Sequence, residues 1–170
     1  MPPISGIPLN PLGRASRSGL AQAKSCGTYV LLMHNPRRQQ IQVGRLGLCD
    51  FTRGWYLYVG SAFGPGGVAA RCAHHRRISP RPRWHIDYLR AVTNLRQIWY
   101  SNDPRRREHQ WAALLGDPLG LAQPMVGFGS SDCDCGSHLF ISAVKPDWKR
   151  FAVLAGERLS AQQAINCEIF

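Results

Sequence analysis

Two tyrosines, an arginine, a histidine and one glutamate are the residues whose types and spacing suit phosphodiester chemistry. Tyr29 lies in GTYVLLMH (27–34), and Tyr56 and Tyr58 lie in GWYLYVGSA (54–62). In a strand, alternate side chains share a face, so Tyr56 and Tyr58 point one way and Trp55, Leu57 and Val59 the other. If the two segments pair, Tyr29 and Tyr58 face one gap. Two hydroxyls there could orient a water or hold a phosphate oxygen. A strand tyrosine is by default a packing residue with a wet tip, so the phenols alone decide nothing.

Specificity comes from the helix that the glycines of GPGG (64–67) introduce. In VAARCAHHRR (68–77), Arg71 and His75 are four apart and share a helix face. His74 is the competing histidine and falls on another face. An arginine beside a histidine can clamp a phosphate and move a proton. Arg76, Arg77, Arg81 and Arg83 come next, with no acid between Asp50 and Asp87. A solvated basic face is the plainer alternative. Carboxylates are scarce in the middle of the chain. Asp103 and Asp117 each precede proline and read as turn residues. Of the remaining three, Asp50, Asp87 and Glu108, the candidate ligand for Mg²⁺ or Mn²⁺ is Glu108, at the start of RREHQWAALLG (106–116). Its plainer role is a carboxylate favoured near a helix N-terminus. Arg105, Arg106 and Arg107 precede it as a phosphate grip or as its partners.

The charge agrees with a polyanionic partner. Lys plus Arg number 21 against 10 acids in 170 residues, a net charge of +11 and a pI near 10.1. All but Lys24, Lys145 and Lys149 are arginine, which binds phosphate as a planar fork and stacks on bases. Nucleic acid is the expected partner, DNA before RNA. The first residues, MPPISGIPLNPLGRASRSGL, lack an apolar run of signal length, and no apolar run reaches membrane-spanning length. The expectation is a cytoplasmic protein with no membrane partner and with reduced cysteines.

The elements that must hold these residues are short. Residues 1–24 read as a mobile tail rich in Pro, Gly, Ser and Arg. Three strands (27–34, 39–46 and 54–60) with short connections read as an antiparallel meander. After them come a helix over 68–77, a short helix over 84–92, a strand over 95–101 and a helix over 106–116. GFGSSDCDCGSHLFISAV (127–144) is turn-rich to His138 and strand-like after it. Residues 25–143 make the domain, and 144–170 make an extension with an amphipathic piece around Trp148, Phe151, Val153 and Leu154.

GTY (27–29), YVG (58–60), Arg71 with His75, and Glu108 resemble, in order, the motifs of the GIY-YIG nuclease superfamily. GWYLYVGSA, RWHIDYL (83–89) and GFGSSDCDCGSHLF (127–140) resemble segments of one branch of it, found in places fused to DNA-repair enzymes. Thr28 and Val59 replace the usual isoleucines but stay β-branched. The resemblance implies an α+β fold, a small antiparallel central sheet flanked by helices. It also implies a metal-dependent endonuclease. In it Tyr29 or Tyr58 would act on the attacking water, Arg71 on the phosphate and His75 on proton transfer. Glu108 would hold the metal.

Cys133, Cys135 and His138 add soft ligands in a short span, with His85 or Cys72 as a fourth, for Zn²⁺. A tight polar turn is the alternative. The expected function is therefore a divalent-metal-dependent endonuclease, with a non-catalytic nucleic-acid-binding module or a zinc-stabilised interaction domain as rivals.

Overall fold

Alternation and glycine punctuation dictate the middle of the fold. A computed structural model describes residues 25–170, so the expected tail at 1–24 lies outside the described residues. β1 (Thr28–Asn35) and β4 (Gly54–Ser61) pair antiparallel along their whole length, with Tyr29 opposite Gly60 and Leu31 opposite Tyr58. β5 (Asn94–Ser101) pairs with the other edge of β1. β6 (Leu139–Ser142) extends β4, and β7 (Asn166–Ile169) extends β5. The result is a five-stranded antiparallel sheet in the order β6-β4-β1-β5-β7. The protein is an α+β fold with this sheet at its centre.

The three-strand meander is corrected. β2 (Gln39–Val43) does not join the central sheet but pairs with β3 (Gly47–Phe51) in a separate two-stranded hairpin. Gly44 and Gly47, at φ 43° and 80°, let the chain reverse through a 3₁₀ turn where strand had been expected to run on to residue 46. β1 therefore meets β4 directly, across the hairpin that links them in sequence. This is the pairing that brings Tyr29 and Tyr58 to one face.

The sheet is buried on both faces. Tyr29, Leu31, Met33, Tyr56 and Tyr58 pack with Val43 and Phe51 of the hairpin, Val68 and Cys72 of α1 (Gly67–Arg76), and Ile86 and Leu89 of α2 (His85–Arg90). Val30, Leu32, Leu57, Val59 and Trp99 face the opposite way. They pack on Trp111, Leu114 and Leu115 of α3 (Glu108–Gly116) and on Phe151 and Ala155 of α4 (Trp148–Arg158). Apolar burial of this kind stabilises by about 25 cal/mol per Å² and dominates the fold's energetics. Residues 144–170 thus add α4 to one core and β7 to the central sheet. Tyr56 is a packing residue whose hydroxyl donates to the Thr52 carbonyl at 3.0 Å.

Candidate active site

The end of the sheet where β1 begins and β4 runs out opens into a cleft of about 360 Å³. Tyr29 and Tyr58 reach it from β1 and β4, Arg71 and His75 from α1, and Glu108 from the first turn of α3. Five residues chosen from four separated segments line one cleft. Ser61, Arg83, Trp84, His85, Gly129, Ser131 and Asp132 complete its walls.

Two glycines make room for the phenols. A Cβ on Gly60 would lie 2.4 Å from the ring end and hydroxyl of Tyr29. A Cβ on Gly129 would lie 2.6 Å from the Tyr58 ring, at a φ of 74° that favours glycine anyway. The Tyr29 ring therefore lies across the backbone of β4 and reaches α1.

There Tyr29 Oη is 2.8 Å from His75 Nε2. His75 is buried, and its Nδ1 faces the Asp87 carboxylate at 4.0 Å. The contact is too long for a hydrogen bond and Nδ1 has no hydrogen-bond partner, but the Asp87 charge favours the ring proton on Nδ1; in that tautomer the Tyr29 hydroxyl donates to Nε2. Burial, with the neighbouring His74 charge next, lowers the His75 pKa to about 3. The imidazole is neutral at neutral pH. Burial first, and then Tyr58, raises the Tyr29 pKa well above the usual phenol value. Burial and the Glu108 carboxylate raise Tyr58 as well. Both phenols are protonated, and Tyr29 keeps oxygen lone pairs for the cleft.

His75 makes stability depend on pH in a defined window. Its folded pKa lies below the unfolded value near 6.5, so the unfolded chain binds the extra proton. Stability from this group is complete above about pH 6.5 and is lost as pH falls toward 3. Chemical denaturation between pH 7 and pH 4 tests this. A His75→Gln variant, with no titrating ring, should show a shallower loss than the parent across that interval. An equal slope would remove His75 as the cause.

Arg71 and Glu108 are held differently. The Arg71 guanidinium stacks over the Trp84 ring at 4.2 Å, which leaves its edge N–H groups free to bind a phosphate. Asp87 fixes this platform by accepting the backbone N–H groups of Arg83 and Trp84 at 2.9 and 3.2 Å, and it pairs with His74 at 2.8 Å. For the Glu108 carboxyl, burial alone would raise the pKa. The His138 ring, with Ser61 and His109 acting the same way, brings it below the ordinary value. Glu108 is therefore a carboxylate at neutral pH, a hard oxygen ligand facing the cleft. That suits Mg²⁺ or Mn²⁺.

Residues 28–161 match the domain of unknown function DUF123. The chain belongs to the DUF123 family. No curated protein matches the chain, and no solved structure does. Every cleft residue named above lies within the DUF123 match.

The arginines of this DUF123 domain divide by surroundings. Arg77, Arg81 and Arg83 are exposed, and Arg83 reaches the cleft. Arg76 pairs with Glu168 of β7, and Arg106 stacks on Phe63 at 4.5 Å. Arg105 donates to the carbonyls of Ser160 and Ala161. Arg107 is a correction. It is 4% exposed and its guanidinium is spent internally, on Asp103 at 3.0 Å, Gln110 at 2.8 Å and the Ser160 carbonyl at 2.7 Å. It cannot grip a nucleic acid. An Arg107→Ala variant should lose roughly 3 kcal/mol of stability, the low end for breaking a buried pair, while the salt dependence of DNA binding stays as in the parent. Equilibrium unfolding and a binding titration at several salt concentrations read the two effects.

The soft-ligand group is also revised. His109, Cys133, Cys135 and His138 bring one ligand atom each within 4.8 Å of one another. The fourth member is His109, not His85 or Cys72. His85 Nδ1 accepts the Gly129 N–H at 3.1 Å, and Cys72 is buried beside the sheet. Among the described residues no helix is long and apolar enough to cross a membrane. Trp84, Gly129, Ser61, Ser131 and Asp132 of the cleft wall, and Asp87 behind Trp84, are not among the residues that the sequence points to. RWHIDYL and GFGSSD were the signals: each carries a residue that props a cleft side chain.

Proposed function

We propose that this DUF123 domain is a GIY-YIG-type nuclease, a divalent-metal-dependent endonuclease that hydrolyses phosphodiester bonds in nucleic acid. DNA is the favoured substrate, and repair in the cytoplasm is the favoured setting. One observation carries the reading. Tyr29, Tyr58, Arg71, His75 and Glu108 converge on a single cleft whose wall also carries Arg83.

In this reading the scissile phosphate sits against Arg71, whose guanidinium is preorganised on Trp84. Tyr29, its own proton committed to His75, accepts a hydrogen bond from the attacking water and orients it. The raised phenol pKa and the lowered imidazole pKa favour orientation over a phenolate waiting in the resting site. Tyr58 donates to a phosphate oxygen from the other wall. Glu108 would hold a divalent cation, which supplies charge neutralisation at the phosphate. Arg77, Arg81 and Arg83 lead the backbone in, so binding weakens steeply with salt.

The test is cleavage of branched, nicked and single-stranded DNA and of RNA by the full chain, with Mg²⁺ or Mn²⁺. Cleavage that needs the cation is the expected result. Salt-sensitive binding with no cleavage under any cation would replace the reading with a binding module.

A further inference from the structure

The segment 127–138 has no strand or helix, yet it places Gly129, Ser131 and Asp132 in the cleft wall. Something has to hold it. At its end, the ligand atoms of Cys133, Cys135 and His138 meet that of His109 from α3. We infer that these four side chains form a tetrahedral Zn²⁺ centre that staples the cleft-wall segment to α3.

The geometry agrees with that coordination. Zn–S near 2.3 Å and Zn–N near 2.0 Å at a tetrahedral angle put a sulfur and a ring nitrogen about 3.5 Å apart. Cys133 Sγ and His138 Nε2 are 3.4 Å apart. A closed Cys₂His₂ set is a structural zinc donor set. Among the described residues all cysteines are free, so both thiols are available.

A second observation comes from His138. His138 is 1% exposed, and its buried Nδ1 has no aligned hydrogen-bond partner. The Glu108 Oε1 atom lies 3.2 Å from that Nδ1. Zinc-bound histidines turn their other ring nitrogen to a carboxylate, which fixes the tautomer. With Nε2 on the metal, Nδ1 carries a proton aimed at Glu108. The arrangement would make Glu108 a bridge, one oxygen on His138 and the other toward the cleft. That last link rests on Glu108 holding the catalytic cation; the zinc centre itself does not.

Metal analysis of the full chain, purified without added metal, should find one zinc per chain. The Cys133→Ser/Cys135→Ser double variant should lose at least tenfold of it, while Cys26→Ser keeps it. The metal-free parent, titrated with Co²⁺, should show thiolate-to-cobalt charge transfer and the intense visible bands of tetrahedral Co²⁺. This measurement decides the matter if the double variant does not fold. Zinc below a tenth per chain together with a weak octahedral Co²⁺ spectrum would overturn the inference, as would zinc retained by the double variant. Neither readout depends on cleavage. A chain that binds zinc but cuts nothing would sink the nuclease and leave the zinc centre standing, and the reverse result would do the opposite.

Discussion

Arg71→Ala should lower single-turnover cleavage by about 10²–10³-fold, the usual cost of removing one preorganised donor from a developing charge. The reason is local. Arg71 is held on Trp84 by stacking and has no carboxylate salt-bridge partner among the described residues, so its hydrogen-bonding edge is unspent. Binding should change far less, because exposed Arg77, Arg81 and Arg83 remain to track the backbone. The log-log salt slope of binding should drop by about one contact. Arg71→Lys should rescue only part of the rate, since an ammonium neither stacks on Trp84 as a plane nor forks onto two phosphate oxygens. Quench-flow cleavage at saturating enzyme separates rate from affinity. A parent-like rate in Arg71→Ala would remove the arginine from the chemistry.

Gly60→Ala should abolish cleavage while leaving a folded protein. The added methyl would occupy the place of the Tyr29 ring end, at 2.4 Å, and the phenol would have to swing off His75. Overpacking of this sort costs roughly 1–3 kcal/mol, or a fall of about 3–10 °C in Tm for a chain of this size. Tyr29→Phe should match it in rate but not in stability, because it removes the hydroxyl without forcing the ring to move. Gly27→Ala is the contrasting case. Its methyl would meet the Ser101 carbonyl oxygen, backbone rather than a movable side-chain tip, at 2.0 Å. Stability should suffer first there. Circular dichroism melts alongside cleavage rates distinguish the two glycines. Full activity in Gly60→Ala would show that the position of the Tyr29 hydroxyl does not matter.

Local periodicity made much of the fold legible. Alternation placed Tyr29 and Tyr58 on one face and Leu57 and Val59 on the other, and the two cores divide the same residues. The four-residue spacing put Arg71 and His75 on one helix face, and both reach the cleft. What stayed hidden depends on contacts far apart in sequence. β3 reads GLCDF, too short to announce itself, and its strand character comes from pairing with β2. β7 reads NCEI and forms because the β5 edge is there to receive it. Arg107 looks like its neighbours because sequence shows charge and not burial; nearby Asp103 and Gln110, with Ser160 brought in by the fold, spend its guanidinium. His109 gave no sign of joining Cys133 and Cys135, because α3 meets that loop only in three dimensions.

The central sheet has a temporal side. β4, β1 and β5, the three strands at the heart of the sheet that presents Tyr29 and Tyr58, are all made by residue 101. The strands that close their two flanks, β6 and β7, come only from residues 139–142 and 166–169. During synthesis these three strands therefore exist for a time with both hydrogen-bonding flanks open, the state most prone to pairing with another chain. Closure of the sheet waits on residues 139–142 and 166–169, and the burial of Trp99 and Trp111 waits on Phe151.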